Sequence, residues 1–119
     1  MIGNMEDYSE KLIDVLDALA RDINITTREH GFWKDGITRN KGEMIALMHS
    51  ELSECLEGLR HDNPPDAHCP QFSSAEIELA DCIIRILDFA YGFNLRIAEA
   101  ILAKTEYNES RPFMHGKTY

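Results

Sequence analysis

Residues 40–91 read NKGEMIALMHSELSECLEGLRHDNPPDAHCPQFSSAEIELADCIIRILDFAY. Apolar residues recur at three- and four-residue spacing on both sides of a break, predicting helices over about 40–61 and 74–91. The break is Asp62-Asn63-Pro64-Pro65-Asp66, where proline lacks a backbone donor and disfavours helical geometry in the residue before it. A connection this short makes the two helices antiparallel neighbours. Asn40-Lys41-Gly42-Glu43 and Ser73-Ser74-Ala75-Glu76 both have capping-box spacing, which locates the two N-termini.

Each helix carries two carboxylates three residues apart, Glu51-Leu52-Ser53-Glu54 in the first and Glu78-Leu79-Ala80-Asp81 in the second. Each pair projects from roughly one side of its helix. At about 1.5 Å per residue the two pairs lie within roughly 5 Å of the same level in the hairpin. Axes about 8–10 Å apart let all four side chains converge. Converging carboxylates need a positive charge between them, and their oxygens suit a hard divalent cation, Mg²⁺ or Mn²⁺.

The alternative is that these are ordinary solvated acids, and the helical wheel argues against it. At about 100° per residue, Met44, Met48, Leu52, Cys55 and Leu59 form an apolar stripe with Leu47 on its flank. Glu51 falls between Leu47 and Met44, and Glu54 lies at the border. The next helix is apolar around most of its circumference, leaving a narrow polar stripe of Glu78, Asp81, Arg85 and Asp88. Such a helix is expected to be buried, and a buried acid must be paired or metal-bound. Arg85, one turn past Asp81, is expected to pair with Asp81 or Asp88 or to reach a ligand.

With 119 residues, the chain suits one all-α domain with a modest core, 109–119 forming a C-terminal tail. No apolar run approaches the length of a membrane span. The opening Met1-Ile2-Gly3-Asn4-Met5-Glu6-Asp7 has neither the basic nor the apolar part of a secretory signal, so a cytoplasmic location is the default expectation. Cys55, Cys69 and Cys82 are odd in number and lack C-x-x-C spacing, so they read as reduced thiols; His68-Cys69 alone is too little for zinc. A formal charge of −9 disfavours a nucleic acid polymer as partner, and no membrane partner is expected. A nucleotide remains compatible, given metal ions and a local basic patch.

The chain outside the hairpin supplies candidates for that patch. A first helix over about 5–28, capped by Asn4, shows an apolar face of Tyr8, Leu12, Val15, Leu16, Leu19 and Ile23. The loop that follows holds the only Trp, Trp33, beside Lys34 and Arg39. Trp33 reads either as a plug under the loop or as a platform for a base. Gly92 is expected to end the third helix, and Asn94 to cap a fourth that runs to about Glu109. Lys104, Arg111, His115 and Lys117 cluster toward the C-terminus, with Asn108 four residues after Lys104. This segment reads either as a frayed end or as a basic flap over a nucleotide.

The arrangement E-x-x-E, 23 residues, E-x-x-D on an all-helical chain resembles the MazG-like nucleoside triphosphate pyrophosphohydrolases, a branch of the all-α NTP pyrophosphatase superfamily. The resemblance spans residues 31–117 and is carried by residues 42–57, by Glu78-Leu79-Ala80-Asp81, and by the tail Lys104, Asn108, Arg111-Pro112 and His115-Gly116-Lys117. Arg85 departs from it, standing where many relatives carry an uncharged residue. The resemblance implies a four-helix bundle of antiparallel helices, completed by dimerisation into a homodimer or homotetramer. It implies hydrolysis of a (deoxy)nucleoside triphosphate between α and β phosphates, to a monophosphate and pyrophosphate. Glu51, Glu54, Glu78 and Asp81 would hold Mg²⁺, with Mn²⁺ as a substitute, and carry catalysis; Glu54 is favoured to orient or deprotonate the attacking water. Lys34, Lys104, Asn108, Arg111 and Lys117 would contact the substrate, and Trp33 would pack on its base. Within the same superfamily a dUTPase-like or phosphoribosyl-ATP-type substrate stays open. Two other classes compete. A di-iron carboxylate protein would use Glu-x-x-His, a spacing this chain lacks. A helical interaction module without activity would leave the inward acids unexplained.

Overall fold

The computed structural model describes residues 8–118, all of them helical or in connecting segments apart from one isolated bridge between Pro65 and Ser73. Four helices follow in order: α1 (Ser9–Glu29), α2 (Lys41–Arg60), α3 (Ser74–Gly92) and α4 (Ile97–Glu109). A short 3-10 segment, Phe113–Gly116, closes the described chain. The cap expected at Asn4 lies outside the described residues.

α2 and α3 form the antiparallel hairpin. Cys55 Sγ–H reaches the Ala75 carbonyl (3.8 Å) near its closed end, and Cys82 Sγ–H reaches the Met48 carbonyl (3.6 Å) further along. Both starts are fixed locally. Asn40 Oδ1 accepts from the Glu43 N–H (2.9 Å), and Ser73 and Glu76 complete a reciprocal capping box (3.0 and 3.2 Å). The turn between them uses left-handed backbone at Asp62 (φ 62°) and Asn63 (φ 49°). Asn63 Oδ1 then accepts from the Ala75 N–H (2.8 Å), tying the turn to the start of α3. His68 and Cys69 are held by the Asp66 carboxylate, which accepts from both of their N–H groups (2.9 and 2.8 Å).

α3 is the central element: α2 packs on one side of it, α1 on another, and α4 leans on α1. The start of α4 differs from expectation. Asn94 does not cap it; its backbone is left-handed (φ 55°) and belongs to the end of α3, where the Leu95 N–H returns to the Ala90 carbonyl (2.8 Å). α4 begins at Ile97 without a side-chain cap. α3 ends at Gly92 as expected, and what requires glycine there is space. A Cβ at 92 would collide with the Trp33 indole, through Cη2, Cζ2 and Cζ3. Gly92→Ala should therefore lower stability by about 1–3 kcal/mol, the usual range for overpacking, read as a shifted urea midpoint at unchanged slope.

The core is thin. Ala20, Met44, Cys55, Ala75, Cys82, Leu87, Ala90 and Ala98 are the buried apolar residues among those described. α3 is covered less than its all-round apolar character predicts, since Leu79, Ile83 and Ile84 remain exposed, as do Leu52, Leu56 and Leu59 on α2. On α1, Val15 and Leu19 are exposed too. The radius of gyration is 17.0 Å, against about 14 Å for a compact domain of this length. No described helix is long and apolar enough to cross a membrane.

Candidate metal centre and adjoining cleft

Carboxylate oxygens of Glu51, Glu54 and Glu78 lie within 4.8 Å of one another across the α2–α3 interface. Glu51 is buried, Glu78 half-buried and Glu54 exposed, so the cluster runs from the helix interface out to solvent. Asp81, expected as the fourth member, falls outside this group and lines the cleft beside it. The roughly 60° between Asp81 and Glu78 around α3 equals that between Glu54 and Glu51 on α2, so spacing along the helix does not by itself decide which acids meet.

Arg85 lies within about 20° of Glu78, two turns along α3. Its Nε–H donates to Glu51 Oε1 at 3.0 Å, so it pairs with neither Asp81 nor Asp88. The electrostatics follow from this packing. Burial pushes Glu51 up, but hydrogen bonds with Glu78 and Arg85 and the guanidinium charge outweigh it and hold Glu51 below its ordinary value. Glu78 is pushed up to about 8, first by its hydrogen bond with Glu51, then by burial and the Glu54 carboxylate. Asp81 is raised by burial and by the Glu51 charge, partly offset by Arg85. These opposite shifts favour one proton on the Glu51–Glu78 pair, carried by Glu78. Without it, Glu78 Oε2 is shut off from solvent with no hydrogen-bond donor.

That orphaned oxygen, in an all-oxygen donor set, fits a hard divalent cation such as Mg²⁺. A cation must displace the Glu78 proton, so Mn²⁺ affinity should rise from pH 6 to about 8 and then level off, by at most about tenfold per pH unit. Stability of the metal-free chain has the opposite slope. The folded value of Glu78 lies above its unfolded 4.5, so its contribution is complete below pH 4.5 and fades as pH climbs through 8. Thermal melts of metal-free wild type should decline across that window relative to Glu78→Gln. Parallel curves would mean that Glu51 and Glu78 hold no proton between them.

Beside the acids opens a cleft of about 260 Å³. Glu51, Asp81 and Arg85 line one side, Met44, Leu47, Ile84 and Phe32 supply apolar wall, and Thr27, Arg39 and Asp88 complete it. Asp88 organises the far end. It is 4% exposed, and its carboxylate accepts from Asn24 Nδ2 (2.9 Å), Thr27 Oγ1 (2.7 Å), Trp33 Nε1 (3.1 Å to each oxygen) and an Arg39 Nη1 (3.4 Å). This network ties α1 and the loop after it to α3.

Trp33 therefore occupies the plug position. Its N–H is spent on Asp88, its ring stacks at a tilt on Phe93 (5.4 Å), and Arg28 and Arg39 lie over it (4.9 and 5.0 Å). Trp33 does not line the cleft; its exposed neighbour Phe32 does. Lys34, Lys104, Asn108, Arg111 and Lys117 do not line it either. Lys104 and Arg111 instead flank Tyr107 (4.6 and 5.5 Å) at the end of α4. Asn24, Thr27 and Phe32 gain a place in the site that their sequence positions do not announce, and Arg39 joins them from the loop that offered it as a basic candidate. The only signal is Asn24, a polar residue next to the apolar face of α1.

No protein-family model, curated protein or solved structure matches this chain.

Proposed function

We propose that the chain is a Mg²⁺-dependent nucleoside triphosphate pyrophosphohydrolase, cleaving between the α and β phosphates. The observation that carries this reading is the convergence of Glu51, Glu54 and Glu78 at the edge of a part-apolar cleft holding two guanidinium groups. The resemblance of the two acidic motifs to MazG-like enzymes points the same way. A bound Mg²⁺ would neutralise phosphate charge and acidify a coordinated water.

The chain's own residues divide the remaining work. Glu51, buried and held ionised, is the fixed anionic anchor, while Glu78 gives up its proton on loading. Glu54, the exposed member, is placed to orient or deprotonate a water from the solvent side. The cleft falls below the roughly 300–1,000 Å³ of pockets that bury a whole drug-sized ligand, so it takes part of the nucleotide. Phe32, Met44, Leu47 and Ile84 offer apolar contact for a base. Lys104, Asn108, Arg111 and Lys117 enter this reading only from a second copy, in a homodimer or homotetramer. The exposed apolar residues of α2 and α3 support that association, and light scattering showing a monomer at micromolar concentration would sink it. Removing residues 111–119 should then lower kcat/KM by tens-fold with helix content unchanged.

The deciding experiment is pyrophosphate release from a panel of canonical and modified (d)NTPs, with Mg²⁺ and with chelator. Metal-dependent release of pyrophosphate is expected. Its absence from every substrate, or release of orthophosphate instead, would discard the reading and favour a non-enzymatic helical module.

A further inference from the structure

We propose that Arg85 is a displaceable counter-ion: it holds Glu51 in the metal-free chain and, when a divalent cation takes that carboxylate, turns to the anionic group of the ligand in the adjoining cleft. This rests on the metal-centre reading above and adds to it a residue that couples cation and anion binding.

Three observations carry the inference. First, Arg85 is bonded to the most buried carboxylate of the cluster, Glu51, and not to Asp81 or Asp88 of its own helix. A cation at Glu51 competes directly with that bond. Second, the Arg85 side chain is 38% exposed, against 9% for that of Glu51. The guanidinium can leave without stranding a buried charge, whereas Glu51 cannot lose its partner uncompensated. Third, Arg85 already lines the cleft. The other guanidinium there, Arg39, is committed to Asp88 and has a 17% exposed side chain. An anion entering an acidic chain needs a mobile cation, and a planar fork suits phosphate oxygens.

The consequence is cooperativity. Cation binding frees the residue that receives the anion, so each strengthens the other. Without the anion, the Arg85–Glu51 pair acts as a brake on metal loading.

The test follows the Arg85 Nε–H resonance in ¹⁵N-labelled full-length protein, assigned by its loss in Arg85→Lys, alongside Mn²⁺ titrations of wild type and Arg85→Gln. Expected results are a solvent-protected resonance in the metal-free chain, loss of protection at saturating Mg²⁺, and renewed protection at a new shift with Mg²⁺ and inorganic pyrophosphate. Arg85→Gln should bind Mn²⁺ about five-fold more tightly, the strength of a partly exposed ion pair, with Arg85→Lys in between. If wild type binds Mg²⁺ while the resonance stays at its metal-free position, or never regains protection with pyrophosphate, Arg85 is a structural tie and the inference fails alone. Equal Mn²⁺ affinity in wild type and Arg85→Gln would overturn it in the same way. If wild type binds neither cation, the metal-centre reading fails with it.

Discussion

Glu51→Gln should lower kcat/KM for pyrophosphate release by about two to four orders of magnitude, roughly 3–5 kcal/mol of lost transition-state stabilisation. Glu51 is the member of the acidic group that its hydrogen bonds with Glu78 and Arg85 hold below its ordinary value, against the opposing push of burial. An amide preserves its shape and one oxygen but removes the charge that a divalent cation requires. Helix content should be unchanged, because Arg85 is exposed enough to be solvated once its partner is neutral. Mn²⁺ affinity should fall in parallel with activity. Asp81→Asn separates two arrangements. A centre built on Glu51, Glu54 and Glu78 leaves Asp81 lining the cleft, so its loss should cost less than that of Glu51. Equal losses would restore the four-acid arrangement.

Asp88→Ala should destabilise the fold by about 3–5 kcal/mol, as expected when a buried, multiply bonded charge is removed and its partners are left behind. Asn24 is 1% exposed and Trp33 half-buried, so their donors would lose a partner where water cannot easily replace it. Arg39 would become a cation without its carboxylate. Asp88→Asn keeps the volume and should cost less, since one oxygen still accepts. Urea denaturation monitored by circular dichroism reads both. A cost under about 1 kcal/mol for Asp88→Ala would mean that water replaces the carboxylate. The same substitution should loosen the loop carrying Phe32 and Arg39, raising KM more than it lowers kcat.

The parts of this molecule legible in its sequence are those set by neighbours in the chain. Asn40 with Glu43 and Ser73 with Glu76 mark the starts of α2 and α3 because capping is a three-residue affair. The convergence of Glu51, Glu54 and Glu78 is legible because α2 and α3, consecutive in the chain, pack as an antiparallel hairpin with the two acidic pairs at similar levels. Asp88 shows where such reading stops. It belongs to the polar stripe of α3, yet lies about 80° around the helix from Glu78 and faces α1 and the loop. Its partners Asn24 and Trp33 are 64 and 55 residues away, and no local rule connects them. Asn94 misleads as a cap, and Gly92, which does end α3, hides a second role. The demand for glycine at 92 comes from an indole distant in sequence, which no terminator pattern records.

The indole has a practical use. As the sole tryptophan, wedged over Gly92 and bonded to Asp88, it makes the chain carry its own optical gauge of the loop. Emission from Trp33 should sit to the blue while the loop is docked and move to the red when it lifts. Stopped-flow fluorescence on unlabelled protein would then time loop release separately from unfolding of the helices, using the same residue that fastens them together.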